Sequence, residues 1–432
     1  MKTKLTLIVA FGVVSAVQTS FSQFLQARFV TSAYAWQRHD TVGLSSNHLY
    51  AYQSAQFSIS QDDFTFSTYL QGWNDFSGPL KNNGRIRLYS LSLKWRNIGG
   101  VGDATVGRQA VFAGAGNGTI DGLSATARFF DKRVKVLGYV GALAPAGMKG
   151  EIIDNPSKNA MFGAQVVAMP VDFGQVSVSY TNKRIQPEAY TALRRDSLFN
   201  PILVEISPTA RIEEYVSADV SAEYGMVYGY IRYDHDLQFE KMSRVQVFTR
   251  VTPVDRIGIT GEYLKREPRI SFNSIFSAFT YNSLEEFEIG LEYDVHFLDG
   301  VRTFARYGEV SYGDEISQQY TFGANWKYLS ASASSLSGYN GRINAATING
   351  GYPLFDNMLT PTASFTYGYY KLNRYQAKRD PALSASVGAV YRPMPILSVD
   401  TQVQWIQNKI YKNDVRVFLR ASYLLSERLT LF

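Results

Sequence analysis

Glu286-Phe287-Glu288-Ile289-Gly290-Leu291-Glu292-Tyr293-Asp294-Val295-His296-Phe297 reads as two interleaved sets of residues. Phe287, Ile289, Leu291, Tyr293, Val295 and Phe297 are apolar, while the positions between them are charged, polar or glycine. A two-residue period sends one set to each face of an extended strand. The same alternation recurs over Tyr320–Trp326 and Val415–Tyr423, and it begins at about Phe24. Segments of this kind, about ten residues each, predict about 22 strands, in a range of roughly 18 to 24. Over half of the chain would then be strand, against ~20–25% in an ordinary globular domain. A sheet closed on itself accommodates that excess, so the expected fold is all-β: an antiparallel up-and-down β-barrel.

The connections place the barrel. Short joints fall at Gln61–Asp63, Asp131–Arg133, Pro170–Gly174, Tyr224–Met226, Thr252–Arg256, His296–Gly300, Pro353–Met358 and Tyr391–Ile396. Between them lie longer polar stretches at Gln37–Asn47, Asn74–Gly84, Leu143–Lys158, Arg184–Ile212, Lys265–Ser283, Glu309–Gln318 and Lys371–Pro381. In an antiparallel meander every second connection emerges at the same end. Sorting by parity predicts short periplasmic turns and long extracellular loops, the arrangement of a transmembrane barrel. A propeller or β-helix would carry a fixed repeat, and none is visible. Tyr34, Trp36, Trp73, Trp95, Tyr369, Tyr370 and Trp405 sit near strand ends, which suits aromatic girdles at the two membrane interfaces. The tight Ser426-Glu427-Arg428 stretch reads as a last turn before Phe432, and a terminal Phe resembles the C-terminal signature of outer-membrane proteins.

Composition agrees. The chain has 432 residues, no cysteine, four histidines and a formal charge of +6. Disulfide scaffolds, thiolate metal sites and cysteine nucleophiles are excluded. With 19% charged residues, so small an excess argues against nucleic acid. The 45% hydrophobic content argues against disorder. Met1–Lys4 with Lys2 and Lys4, the apolar run Leu5–Val17 and the small residues Ser20 and Ser22 form a secretory leader, with cleavage expected before Gln23. Residues 1–22 are thus expected to be a signal peptide, and 23–432 one outer-membrane barrel of a Gram-negative cell.

A barrel turns the apolar face of each strand to lipid and the polar face inward. The inward set then includes Arg232, Asp234, Arg244, Arg250, Glu262, Glu288, Glu292, Asp294, Arg302, Arg306, Asp400, Arg416 and Arg420. Acidic and basic columns fall on neighbouring strands. They predict either a water-filled channel with a transverse field or a wall stiffened by cross-strand ion pairs. Strand-like alternation from Phe24 leaves no room for a preceding plug domain, so any occlusion would come from an infolded loop. Arg184–Ile212 is the first candidate and Lys265–Ser283 the second.

Gly107-Arg108-Gln109, followed by Gly116-Asn117-Gly118-Thr119-Ile120-Asp121-Gly122-Leu123, resembles a segment of some bacterial porins. There a Gly-Arg-Gln strand end leads into a glycine-rich loop and an Asp-Gly strand start. The resemblance covers residues 107–123 and implies a porin-like outer-membrane barrel with Arg108 lining the pore. The overall style is similar to that of barrels from Bacteroidetes-type bacteria.

Reaction chemistry finds little footing. In Asp234-His235-Asp236 the carboxylates share one strand face and the histidine takes the other, so the trio cannot act as an oriented base. His296 sits at a short turn. No nucleophile elbow, phosphate loop or His-Glu-x-x-His motif occurs, and Gly114–Gly118 reads as a flexible hairpin. The expectation is a non-enzymatic, cofactor-free and metal-free channel for passive diffusion of small hydrophilic solutes, set in outer-membrane lipid. The alternative is a closed barrel serving as anchor or platform for a secretion or envelope complex. A homo-oligomer or an envelope protein partner fits either.

Overall fold

In a computed structural model the described residues are 23–40, 45–77, 86–187, 189–209, 211–268, 282–295, 300–339, 341–371 and 377–429. The leader, His296, Phe432 and most of Lys265–Ser283 lie outside them. The first nine strands are Gln23–Asp40 (β1), Ser45–Gln61 (β2), Phe64–Asp75 (β3), Ile86–Ile98 (β4), Gly102–Ala113 (β5), Gly116–Phe129 (β6), Val134–Leu143 (β7), Ala160–Val171 (β8) and Gly174–Ile185 (β9). A separate hairpin follows, Tyr190–Arg195 (β10) and Pro201–Ile206 (β11). Then come Arg211–Tyr224 (β12), Val227–Asp236 (β13), Lys241–Val254 (β14), Ile257–Arg266 (β15), Leu284–Asp294 (β16), Arg302–Tyr312 (β17) and Glu315–Trp326 (β18). The wall ends with Leu329–Gly338 (β19), Gly341–Gly351 (β20), Leu359–Lys371 (β21), Asp380–Met394 (β22), Leu397–Gln407 (β23) and Tyr411–Leu429 (β24).

All but β10 and β11 join one 22-stranded antiparallel sheet, and β24 pairs with β1 to close it. Following register partners around the wall returns to β1 about two dozen residues further along, a stagger that sets the strand tilt. That stagger corresponds to a tilt of about 40° and a Cα-to-Cα diameter of about 40 Å. Side chains from the wall cannot fill so wide an interior.

Register keeps like faces together. Asp234 on β13 lies opposite Arg244 on β14, which lies opposite Arg266 on β15. The other face leaves large apolar side chains exposed, among them Ile231, Leu291, Phe322, Val403 and Leu419. In water such a belt would be an aggregation surface; against lipid it is the outer wall of a barrel.

The short joints are where the alternation placed them, but the opposite end is not uniformly long-looped. Gly114–Ala115 and Gly313–Asp314 are two-residue turns there. The polar stretches Gln37–Asn47 and Glu309–Gln318 are mostly strand, and Ser426-Glu427-Arg428 is continuous strand within β24. For the first and last strands the reason is length. β1 spans 18 residues and β24 19, whereas ~9–11 tilted residues cross a bilayer. Strands this long carry polar residues on both faces at their ends, and that composition imitates a loop.

Candidate functional site

The lumen is shaped by one departure from the barrel plan. β4 pairs with β5 only as far as Leu91 opposite Arg108, and β7 pairs with β6 only as far as Leu143 opposite Ile120. β5 and β6 nevertheless continue together to Ala113 opposite Gly116. Beyond these pairs, and a 2.8 Å bond from the Ala144 amide to the Thr119 carbonyl, the upper hairpin, residues 108–120, has no strand partner but itself and leaves the wall. Its hinge is a pair of directly opposed glycines, Gly107 and Gly122. Gly107 has φ +112°, and a Cβ on it would overlap the Leu91 carbonyl; one on Gly122 would overlap that of Val140. Any larger residue would block the bend.

The hairpin leans inward across β7 and β8 and docks on β9 and β12. Val111, Ala113 and Ile120 pack with Tyr139, Leu143 and Met161 in a buried apolar cluster. The Ala115 amide donates to Ser217 Oγ at 3.1 Å. Gly114 (φ +57°) sits so tightly against Ser179 that a Cβ would collide with its side chain. Tyr139 and Thr181 hydroxyls share a 2.8 Å hydrogen bond beneath the hairpin. Among the described residues the infolded element is thus the Gly114–Gly118 hairpin, docked rather than loose, and not Arg184–Ile212. The latter folds into β10–β11, whose residues are exposed over most of their length.

Arg108 does not open onto the lumen. It is 4% exposed, and its guanidinium uses all five N–H donors. Nε and Nη2 grip Asp121 bidentately at 2.6 and 2.7 Å. The remaining donors reach the carbonyls of Leu88, Lys149 and Glu151. The residue therefore ties β4, β6 and the Ala144–Asn159 connection together at the point where the hairpin leaves the wall.

Most of the other sequence-named charges are brought together as pairs on the polar face. Arg232 holds Asp234 at 2.9 Å, Arg302 holds Asp294 at 2.6 Å and Arg420 holds Asp400 at 2.7 Å. Arg250 reaches Glu292 at 3.0 Å, past Gly258 on the intervening strand. Arg306 lies 3.8 Å from Glu288 and 4.0 Å from Glu292. Arg416 pairs at 2.7 Å with Asp414, a partner two residues away on its own strand face that the sequence reading overlooked. Glu262 accepts from Gln246 at 2.7 Å and lies opposite Glu288. Arg244 donates only to Gln246 among the described residues.

Register also relocates several aromatics. Trp36, opposite Arg416, and Trp73, opposite Tyr52, lie on the polar face. Trp36 stacks on His48 at 4.5 Å and on Tyr50 at 5.1 Å, while Trp73 lies 5.9 Å from Tyr50. Tyr34, Trp36 and Trp73 are therefore a lumen-side stack rather than part of a girdle, and Tyr370 shares their face. Trp95, Trp405 and Tyr369 stay on the apolar face, 46%, 39% and 44% exposed. Alternation alone could not assign these rings, because each side of those strands carries aromatic or small residues.

Tyr233 and His235 share the outer face, joined at 3.2 Å, while Asp234 and Asp236 are buried on the other. Among the described residues no group of His, Asp and Glu is arranged to hold a metal.

No family model and no curated protein sequence matches the chain. Solved structures do. The ferric enterobactin receptor PfeA of Pseudomonas aeruginosa is similar with a TM-score of 0.59 at 10% identity, over 92% of this chain and 80% of that one. The translocation pore of the P pilus usher PapC gives 0.49 at 10% identity, over 93% and 99%. OpdQ of Pseudomonas aeruginosa gives 0.42 at 10%, over 95% and 100%. At such identity the likeness speaks to fold alone. The class is that of bacterial outer-membrane β-barrels, and the resemblance to Bacteroidetes barrels gains nothing from these neighbours. This chain has that fold, with 22 strands and an infolded hairpin between β5 and β6.

Proposed function

We propose that the chain sits in the outer membrane and conducts small hydrophilic solutes passively through its lumen. The observation that carries this reading is the mismatch between wall and filling. A barrel about 40 Å across has a polar inner face and is narrowed by a hairpin, and among the described residues no separate domain fills it. Solutes would pass between the docked hairpin and the opposite wall. Ion pairs along that wall hold charged side chains upright and leave their remaining hydrogen-bonding capacity to water and solute. No reaction is assigned to the chain.

Purified protein in planar bilayers should give stepwise conductance, and silent membranes with correctly folded protein would overturn the proposal. Replacing Glu288 and Glu292 by lysine should move the zero-current potential toward anion preference. An unchanged potential would remove both residues from the conducting path.

A further inference from the structure

Between the hairpin and the β13–β15 wall lies a cavity of about 1670 Å³, lined by Lys183, Glu213, Arg232, Asp234, Arg244 and Arg266 among others. Its lining, Asp154 and Lys158 included, carries six basic and five acidic side chains, one net positive charge. Asp234 is held by Arg232. Glu213 is held by Lys183 and Arg211. Glu267 and Glu151, also in the lining, lie 3.9 and 3.8 Å from Lys241 and Lys149. Arg244 and Arg266, which face each other directly across β14 and β15, have no carboxylate partner among the described residues. Asp234, directly opposite Arg244, attracts it without coming within ion-pair distance, and Arg232 adds a third guanidinium nearby.

Directly opposed like charges destabilise a sheet; the wall has other such pairs, Glu262 opposite Glu288 among them, but there Gln246 donates to Glu262 and Arg306 lies 3.8 Å from Glu288. Arg244 is also incompletely satisfied. It donates to the neutral Gln246, which passes a hydrogen bond on to Glu262 at 2.7 Å. Its Nε is enclosed with no acceptor among the described residues. Two guanidiniums that line one cavity, with no carboxylate within ion-pair distance among the described residues, offer the planar donor sets that suit a carboxylate or a phosphate.

We infer that Arg244 and Arg266 form an anion subsite in the lumen, which takes a compact solute bearing a carboxylate or phosphate group. The subsite rests on the channel reading, since it lies on the path that reading describes. It would give the channel a preferred solute class where the paired charges elsewhere confer little preference. An entering oxyanion would accept from both arginines, relieve their repulsion and satisfy the enclosed Nε. Removing either positive charge should not unfold the wall, because it removes repulsion.

The test uses the full-length protein in planar bilayers in potassium chloride, with succinate or inorganic phosphate added to the loop side. Transient current block at rising concentration of either anion is expected. The half-blocking concentration should rise about tenfold in Arg266→Gln and further in Arg244→Gln/Arg266→Gln. Block by succinate alone or phosphate alone identifies the solute source, and either result supports the subsite. Conductance without block, or block unchanged in both variants, overturns it. Calorimetric titration of detergent-solubilised protein separates the two readings. Anion binding that the arginine substitutions abolish, in a protein that forms no channels, would sink passive conduction and keep the subsite.

Discussion

Arg108→Ala should unfasten the hairpin. The side chain is 3% exposed and Asp121 15%, so removing the guanidinium strands a carboxylate that is largely shielded from water. It also leaves the Leu88, Lys149 and Glu151 carbonyls without this donor. Breaking a buried pair from one side costs about 3–5 kcal/mol. Arg108→Lys keeps the charge but offers three donors from a single nitrogen, and it should lose about 1–3 kcal/mol. The paired replacement Arg108→Met/Asp121→Leu removes both charges together. It should cost less than Arg108→Ala, giving a coupling energy on the order of 2 kcal/mol. Urea unfolding of protein refolded in detergent micelles gives the ranking. Trypsin gives an independent readout, because the staple holds the backbone at Lys149. Cleavage at Lys149 and Lys158 should accelerate at least about tenfold in Arg108→Ala if local opening governs the rate. An Arg108→Ala protein within about 0.5 kcal/mol of wild type, with its loop as protease-resistant as before, would refute the staple.

Two further outcomes test the wall and its outer hairpin. The chain has five tryptophans; in single-tryptophan variants, brominated lipid should quench Trp95, Trp326 and Trp405, whereas aqueous iodide should quench Trp36 and Trp73. Lipid quenching of Trp36 would reverse the face assignment of β1 and β2. At the β10–β11 turn, Asp196 accepts from the Leu198 and Asn200 amides, and these bonds hold its carboxyl below the usual carboxylate range. A depressed carboxylate contributes stability above its unfolded value and loses it as pH falls through the folded one. Amide protection at Leu198 and Asn200 should therefore persist through pH 5 and fade only below about pH 4; Asp196→Asn should flatten that dependence.

How far the sequence could be read follows from which forces leave a period-two signature. Strands such as β16, with Phe287, Ile289 and Leu291 on one side and Glu288 and Glu292 on the other, have one wet and one lipid face. Alternation there states the structure directly, and 22 such segments closed into the observed sheet. Which charges share the polar face was legible by the same logic, but their partners were not. Arg250 meets Glu292 only because Gly258 lies between them, a relation set by register across three strands. Tyr34, Trp36 and Trp73 misled for a related reason: an aromatic residue near a strand end satisfies either a girdle or a lumen stack, and only register chooses.

The hairpin between β5 and β6 was hidden by its two environments. Below Gly107 and Gly122 it is wall, with Val106 and Leu123 exposed on the apolar side. Above them it has no lipid face, and the parity that faces water elsewhere becomes Val111, Ala113 and Ile120, packed on Tyr139 and Met161. That switch was written in the chain as apolar residues on the wrong parity, beside glycines at 107, 114, 116, 118 and 122. Read as flexibility, the glycines concealed it; read as close approach, they mark where two backbones must pass and a tip must dock. Arg108 belongs to the same device. A hairpin that bends out of the sheet abandons the ladder bonds of β4 and β7 along its upper half, and those edges require other partners. The Ala144–Asn159 connection supplies backbone there, and a five-donor side chain at the bend is what joins it to β4 and β6. The inward hairpin, the opposed glycines and the buried arginine are therefore one structural solution, and a substitution at any of the three should be felt first as movement of the hairpin and only then as loss of the barrel.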